Sequence, residues 1–334
     1  MANLRAGLIG LGMMGRHHAR VLAGLEGVDL VAVVDPDGDK HNVAGGRPLL
    51  TSVEELIALG IDYAMVAVPT IYHEPIGLAL AEAGVHAMIE KPLAQNTPSA
   101  RKLTDAFAAK GLIGAVGHIE RYNPALQSAR ARLEAGELGA VYQVTTRRQG
   151  PFPARIADVG VVKDLATHDI DLTAWVTQQE FISVGARTAS KSGREFEDLV
   201  AVTGLLADGT VTNHLVNWLS PLKERVTVIT GERGTFVANT LTADLTFYAN
   251  GLVQTTWDDI AQFRGVSEGD VVRFAISKPE PLQVEHQQFR DAVLGKESDI
   301  VTLEQGMTTV AVAEAVIESA LSGRTIDIPR VGAL

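Results

Sequence analysis

The stretch Leu4-Arg5-Ala6-Gly7-Leu8-Ile9-Gly10-Leu11-Gly12-Met13-Met14-Gly15 decides the fold. A short apolar run enters three glycines spaced GxGxxG, and a helical pattern from Met14 to Leu25 leaves them. In that setting Gly10 allows a tight turn, Gly12 lets the backbone approach a pyrophosphate, and Gly15 permits close packing of helix on strand. The N–H groups at the helix start, Met13 and Met14 among them, are then available to phosphate oxygens. A lone GxGxxG is weak; the flanking strand and helix supply the context. The competing reading is a glycine turn in a flavodoxin-like sheet that binds nothing.

Outward from that turn, the first 120 residues alternate strand and helix. Continuous apolar runs at Val28–Val34, Asp62–Val68, Val85–Ile89 and Ile113–Val116 alternate with helical stretches at Ser52–Ala58, Glu74–Ala83 and Pro98–Ala109. Such runs, separated by amphipathic helices, predict a doubly wound parallel sheet covered on both faces. Ser52 followed by Glu55 is a capping-box signal. The glycine-rich Gly38–Pro48 segment leaves the second crossover without a full helix. Asp35 ends the second strand twenty positions after Gly15, where a carboxylate accepts from adenosine ribose hydroxyls and repels a 2′-phosphate. NAD is therefore favoured over NADP, although Lys40 and Arg47 lie close by and an Asp before Pro36 also suits a plain turn cap.

After about Glu120 the pattern changes. A helix at Pro124–Ala135 precedes a strand at Val141–Gln149, and a second helix runs from about Leu165 to Val176. From Phe181 to about Phe274 the chain reads as β segments broken at Asp208-Gly209, Gly231-Glu232 and Asn250-Gly251. Helices at Val284–Leu294 and Leu303–Leu321 close the chain. The expected architecture is α/β: a dinucleotide-binding domain over 1–120, then an α+β domain over 121–334 with a large, mostly antiparallel open-faced sheet. The closing helices are free to pack back on the first domain.

Composition sets the limits. A chain of 334 residues exceeds what one core usually supports. With no cysteine there is no disulfide framework, thiolate nucleophile or zinc-thiolate site. A net charge of −11 argues against a nucleic-acid partner. No apolar run spans a bilayer and no cleavable leader is evident, which reads as a cytoplasmic protein.

Two stretches carry ionisable groups in unusual company. Glu90-Lys91-Pro92 follows an apolar strand, so Lys91 stands at the carboxyl end of the sheet, where ligands bind. It can stabilise developing negative charge on a substrate oxygen or relay a proton, or it can be an ordinary loop charge. In Lys163-Asp164-Leu165-Ala166-Thr167-His168-Asp169-Ile170-Asp171, Asp164 and His168 are four apart and share a helical face. A histidine titrating near ~6.5 suits removal of a hydroxyl proton, and an Asp one turn away can orient the ring. Plain charge pairing along a helix explains the spacing as well. No zinc-site spacing is present, so no metal is expected.

Together, Gly10–Gly15, Asp35, Ala67-Val68-Pro69-Thr70 with His73, Glu90-Lys91-Pro92 and the Asp164-x-x-x-His168-Asp-x-Asp run resemble the Gfo/Idh/MocA oxidoreductases across essentially the whole chain. The resemblance implies a Rossmann domain, an open-faced sheet domain that mediates homodimers or homotetramers, and NAD-dependent oxidation of a sugar hydroxyl. It implies that Lys91 and His168 are the catalytic pair with Asp164 assisting. Pro69, Thr70, His73 and Glu90 then serve the nicotinamide half of the cofactor. The runs at 117–125 and 158–164 are similar to the family's UDP-N-acetylglucosamine 3-dehydrogenases. Arg121, Tyr122, Asn123, Lys163 and Arg155 are expected to meet a sugar or sugar-nucleotide substrate, with Arg147 and Arg148 nearby. An inositol or free-sugar dehydrogenase is the alternative, and an NAD-binding regulatory protein without turnover is the alternative of another class.

Overall fold

The computed structural model describes residues 3–153, 159–251 and 267–329. The chain forms two compact units, one of residues 1–119 with 280–314, the other of residues 120–279 with 315–334.

In the first unit the strands are β1 (Leu4–Ile9), β2 (Val28–Val34), β3 (Leu49–Leu50), β4 (Tyr63–Val66), β5 (His86–Glu90) and β6 (Gly114–Gly117). They form one sheet in the order β3-β2-β1-β4-β5-β6, parallel throughout. Helices α1 (Met13–Ala23), α2 (Val53–Ala58), α3 (His73–Glu82) and α4 (Thr97–Ala109) connect them. The strands are continuous in apolar residues because the sheet is buried on both faces. One core gathers Ile9, Val34, Leu56, Val66, Leu80, Ile89, Leu103 and Phe107; the other gathers Leu8, Leu22, Leu30, Tyr63, Met65 and Met88. The order reverses direction between β1 and β4, the place where an open α/β sheet takes its ligand. Local capping sets the helix starts. Asn96 accepts from Ser99 N–H at 2.9 Å, and Ser52 from Glu55 N–H at 3.2 Å. The Glu55 carboxylate takes the N–H of Thr51, one residue earlier than a capping box has it.

Residues 280–314 return to this unit. Helix α7 (Pro281–Val293) sets Phe289 edge-on against Tyr63, at 5.3 Å between ring centres. The start of α8 (Leu303–Ser322) adds Leu303, Met307 and Val310 to the core. Between the helices, Val301 accepts from Val116 N–H at 2.9 Å and extends the sheet edge.

The second unit is built on nine strands, β7 (Val141–Pro151), β8 (Phe181–Ala189), β9 (Leu199–Leu206), β10 (Val211–Asn217), β11 (Leu219–Gly231), β12 (Gly234–Asn239), β13 (Asp244–Gly251), β14 (Ser267–Arg273) and β15 (Ile326–Asp327). Their order is β14-β13-β12-β11-β7-β10-β9-β8-β15; β7 and β10 run parallel and the other pairs antiparallel. Helices α5 (Pro124–Glu134) and α6 (Thr167–Thr177) cover one face with Leu126, Ala129, Leu172 and Trp175, over Val144, Ile229, Phe236 and Leu245. Tyr142, Val211 and Leu215 are exposed on β7 and β10. Asp208-Gly209 makes the expected turn between β9 and β10, with Gly209 at φ +90°. Asn250-Gly251 does not: it continues β13. Among the described residues no helix is long and apolar enough to cross a membrane.

Candidate active site

The glycine turn of the first unit is built for a close-approaching anion. Gly10 sits at φ +94°, and a Cβ there would lie 2.4 Å from the Ala67 carbonyl oxygen. A Cβ on Gly15 would lie 2.0 Å from the Gly10 carbonyl oxygen, so only glycine lets α1 start this close to β1. Gly12 is different, because a Cβ there meets nothing within 4 Å. Its backbone faces open space at the N-terminus of α1, where no side chain caps the helix and no acidic residue lies in the first turn. The exposed N–H groups around Met13 and Met14 therefore keep their partial positive charge for a pyrophosphate.

Asp35 lies just beyond β2 and accepts from Leu11 N–H and Asp37 N–H, both at 2.9 Å. It ties the glycine turn to β2 and caps its own turn, and each carboxylate oxygen keeps a lone pair for a ribose hydroxyl. Arg47, one of two nearby cations able to meet a 2′-phosphate, spends its guanidinium on the carbonyls of Leu30 and Ala44.

Glu90 and Lys91 follow at the end of β5, and the Lys91–Pro92 peptide is cis. The Glu90 carboxylate is buried and accepts the Lys91 N–H at 3.0 Å. Gly117 on the neighbouring strand makes room for it, since a Cβ there would press within 3.3 Å of the carboxylate. Pro69 and Thr70 stand beyond β4, where Thr70 begins a short 3₁₀ turn. His73 is buried, with Nδ1 3.0 Å from the Pro92 carbonyl and Nε2 3.0 Å from the Val68 carbonyl. It clamps the loops after β4 and β5 together. Burial pushes its pKa down and the carbonyls oppose that.

In the second unit, Asp164 lies in a π-helical turn, Val162–Ala166, that runs directly into α6, where His168 is the second residue. A single wide turn of this kind often marks a functional site. Glu197 fixes its start: the Glu197 carboxylate accepts Val162 N–H at 3.1 Å and its carbonyl accepts Val161 N–H at 2.9 Å. Gly160 leaves space for that carboxylate, which a Cβ would overlap at about 2.0 Å. Asp164 and His168 are nearly buried, at 7% and 9% exposed.

Asp169 and Asp171 turn elsewhere and are neutralised. Arg121 holds Asp171 through two bonds of 2.8 and 2.7 Å. Arg148 donates to Asp169 and to Glu120, each at 2.8 Å. Burial pushes Glu120 up, but the Arg148 guanidinium, with the Arg225 charge and the Thr240 hydroxyl, outweighs it and the carboxyl ends below its ordinary range; at Asp169 burial wins and the carboxyl is raised. Sequence spacing pairs neither Arg148 nor Arg121 with these acids, 21 and 50 residues away.

Of the expected substrate residues, Arg121 is thus engaged within the fold, and so is Asn123, which caps α5 and donates to the Thr240 carbonyl at 3.0 Å. Tyr122 is buried, Lys163 is half-buried on the π turn, and Arg155 lies outside the described residues. Among the described residues no group of three or more His, Asp or Glu is arranged to hold a metal. Sequence reasoning also missed His18, Glu285 and His286, which gather at Glu90.

The N-terminal description of the oxidoreductase family with an NAD-binding Rossmann fold matches residues 4–118, and the Gfo/Idh/MocA C-terminal domain matches residues 126–237. The chain belongs to the Gfo/Idh/MocA family. Its first unit is therefore an NAD-binding Rossmann domain. This family member is 32% identical over 216 residues to UDP-N-acetylglucosamine 3-dehydrogenase of Acidithiobacillus ferrooxidans, a match covering 64% of this chain and 66% of that protein. It is 30% identical over 192 residues to inositol 2-dehydrogenase 4 of Saccharopolyspora erythraea, covering 55% and 57%. The sequence matches thus span less than two thirds of those relatives' lengths. A solved structure of the Acidithiobacillus ferrooxidans enzyme superposes with a TM-score of 0.83 at 27% identity, over 96% of this chain and 99% of that one.

The family's glycine turn carries the first prediction. Gly15→Ala forces α1 off β1, so NAD affinity measured by titration is expected to fall at least tenfold. Urea unfolding is expected to show a loss of about 1–3 kcal/mol. Wild-type affinity in the variant would contradict the packing described above.

Proposed function

We propose that the chain is an NAD-dependent dehydrogenase that oxidises a ring hydroxyl of a sugar, at C3 of a UDP-N-acetylhexosamine. The observation that carries this reading is the likeness to UDP-N-acetylglucosamine 3-dehydrogenase, in sequence and across nearly the whole fold. Lys91 after β5 and the Asp164/His168 pair at the head of α6 supply the ionisable groups that alcohol oxidation requires. Bound NAD supplies the hydride acceptor at nicotinamide C4. His168 takes the hydroxyl proton, Asp164 orients the ring and supports its charged form, and Lys91 stabilises negative charge on the substrate oxygen. Lys163 and Arg155 are the basic groups assigned to a substrate diphosphate. In the same reading copies of the chain associate through the open face of the nine-stranded sheet, as a homodimer or homotetramer in the cytoplasm.

One set of observations favours a second reading. Arg121, Arg147 and Arg148, three cations expected at or near the substrate, each pair with carboxylates of their own unit. Inositol dehydrogenases are also among the relatives. The test is NAD reduction at alkaline pH with UDP-N-acetylglucosamine, myo-inositol and glucose in parallel. Reduction with the sugar nucleotide is expected, together with a thermal shift on adding UDP alone. Reduction only with the free polyol or sugar would overturn the sugar-nucleotide assignment, and no reduction with any of them would favour a regulatory NAD-binding role.

A further inference from the structure

Four ionisable side chains of the first unit are buried together behind Lys91, and none has a role in the chemistry above beyond Glu90 itself. His18 comes from α1, Glu90 from the end of β5, and Glu285 and His286 from α7. His18, Glu285 and His286 are no more than 2% exposed. His18 Nε2 lies 2.9 Å from Glu90 Oε1, and His18 Nδ1 lies 2.8 Å from His286 Nε2. The other Glu90 oxygen accepts the Lys91 N–H.

The hydrogens in this chain can be placed from the bonds alone. An ionised carboxylate only accepts, so His18 Nε2 carries the hydrogen shared with Glu90. The hydrogen between the two rings then belongs to one of two nitrogens. If His18 Nδ1 held it, His286 would have to carry its own hydrogen on Nδ1, a buried atom with no hydrogen-bond partner among the described residues. A buried N–H without an acceptor is costlier than a bare nitrogen lone pair. His286 Nε2 therefore donates to His18 Nδ1, and every donor in the chain points towards Glu90. Bonds aligned in this sense strengthen one another.

The charges agree with the placement. Burial pushes the Glu90 carboxyl up, but the His18 hydrogen bond, the Lys91 charge and the Lys91 N–H bring it below its ordinary value. Burial first, and the Glu90 charge second, push Glu285 well above the usual carboxylate range. Two carboxyls sharing one buried site thus divide into an anion and a neutral acid. Burial lowers His286 well below the ordinary histidine value and keeps its ring neutral.

We propose that His18 and His286 are positioning residues: a donor chain from His286 through His18 anchors the Glu90 carboxylate, which in turn fixes the backbone of Lys91. The proposal rests on the reading of Lys91 as the residue that acts on the substrate oxygen. A misplacement of about 1 Å at such a residue lowers a rate on the order of 10²-fold.

The test has two arms. In wild-type protein labelled with ¹⁵N-histidine, both His18 and His286 are expected to show a protonated Nε2 and an unprotonated Nδ1. A protonated Nδ1 on either ring at neutral pH would overturn the donor chain, whatever the enzyme's activity. In the second arm, His18→Leu removes the donor and His18→Gln keeps one for Glu90. His18→Leu is expected to lower kcat by about 10–100-fold with the substrate KM changed less than threefold, and His18→Gln to recover most of that loss. Equal kcat in wild type and a folded His18→Leu variant would sink the positioning role. If instead Lys91→Ala keeps full turnover, the reading of Lys91 fails while the ¹⁵N pattern still stands.

Discussion

Lys91→Ala is expected to lower kcat by about 10²–10⁴-fold while leaving the NAD dissociation constant within a few-fold of wild type. The separation of the two effects follows from the geometry. The phosphates are assigned to the glycine turn between β1 and α1, and the adenosine ribose to Asp35, whose carboxylate is held by Leu11 and Asp37. Neither depends on the Lys91 side chain. The Lys91 backbone is held through its N–H by Glu90, and alanine keeps that bond while removing the ammonium. Steady-state turnover and NAD fluorescence titration measure the two quantities on one preparation. Turnover within tenfold of wild type would remove Lys91 from the chemistry, and a parallel loss of NAD binding would make it a cofactor residue only.

Arg148→Met is expected to destabilise the second unit by about 3–5 kcal/mol, the range found when one partner of a buried ion pair is removed. Arg148 is 2% exposed and holds two acids, Asp169 and Glu120, so the variant leaves two buried carboxylates without the cation bonded to them. The same change bears on activity, because Asp169 follows His168 directly and anchors the head of α6. The pH dependence has a definite sign. In the wild type the lowered Glu120 pKa adds stability above the ordinary carboxylate range, and that stability is lost as pH falls through the folded value. Without Arg148, only the Arg225 charge and the hydrogen bonds from Thr240 and Thr146 oppose burial, so both pKa values rise. A group whose folded pKa is raised binds protons more readily in the folded state, so stability falls as pH rises. The variant's deficit in urea unfolding is therefore expected to be largest at pH 7–8 and smaller near pH 5. A deficit that does not change with pH would show that lost packing, not uncompensated charge, is the cause.

How much could be read in advance depended on how local each feature is. The strands β1 and β2 occupy the expected ranges, Leu4–Ile9 and Val28–Val34, because a buried parallel strand is written as an uninterrupted apolar run. Helix starts at Ser52 and Asn123 follow from side chains that bond backbone groups two or three residues on. Asn250-Gly251 misled because a turn dipeptide sets a preference, which pairing of β13 with β14 at Asn250 and Gly251 overrides. The π turn at Val162–Ala166 has no signal in hydrophobic period. It depends on Glu197, some 35 residues away, holding the Val162 N–H.

The site divides the same way. The places of Gly10, Gly12, Gly15, Asp35 and Lys91, in the turn or helix start that follows a strand, were legible in the amino-acid sequence because apolar runs mark where the strands end. The helical setting of His168 was legible, but the four-residue spacing read Asp164 onto the same α-helical face, and Asp164 stands in a π turn instead. The contact that Arg121 makes was not legible, for the opposite reason. Its partner, Asp171, is settled by which buried charges meet when α6 packs on the sheet, and burial makes that pairing compulsory. His18 and His286 are 268 residues apart and meet only because α7 returns to the first unit. The glycine turn and the alternation of strands and helices in the NAD-binding domain are written locally in the amino-acid sequence, since they rest on sterics and periodicity. The tertiary structure alone decided which buried acids and histidines share protons, because that choice is made by the desolvation of groups brought together from distant parts of the chain.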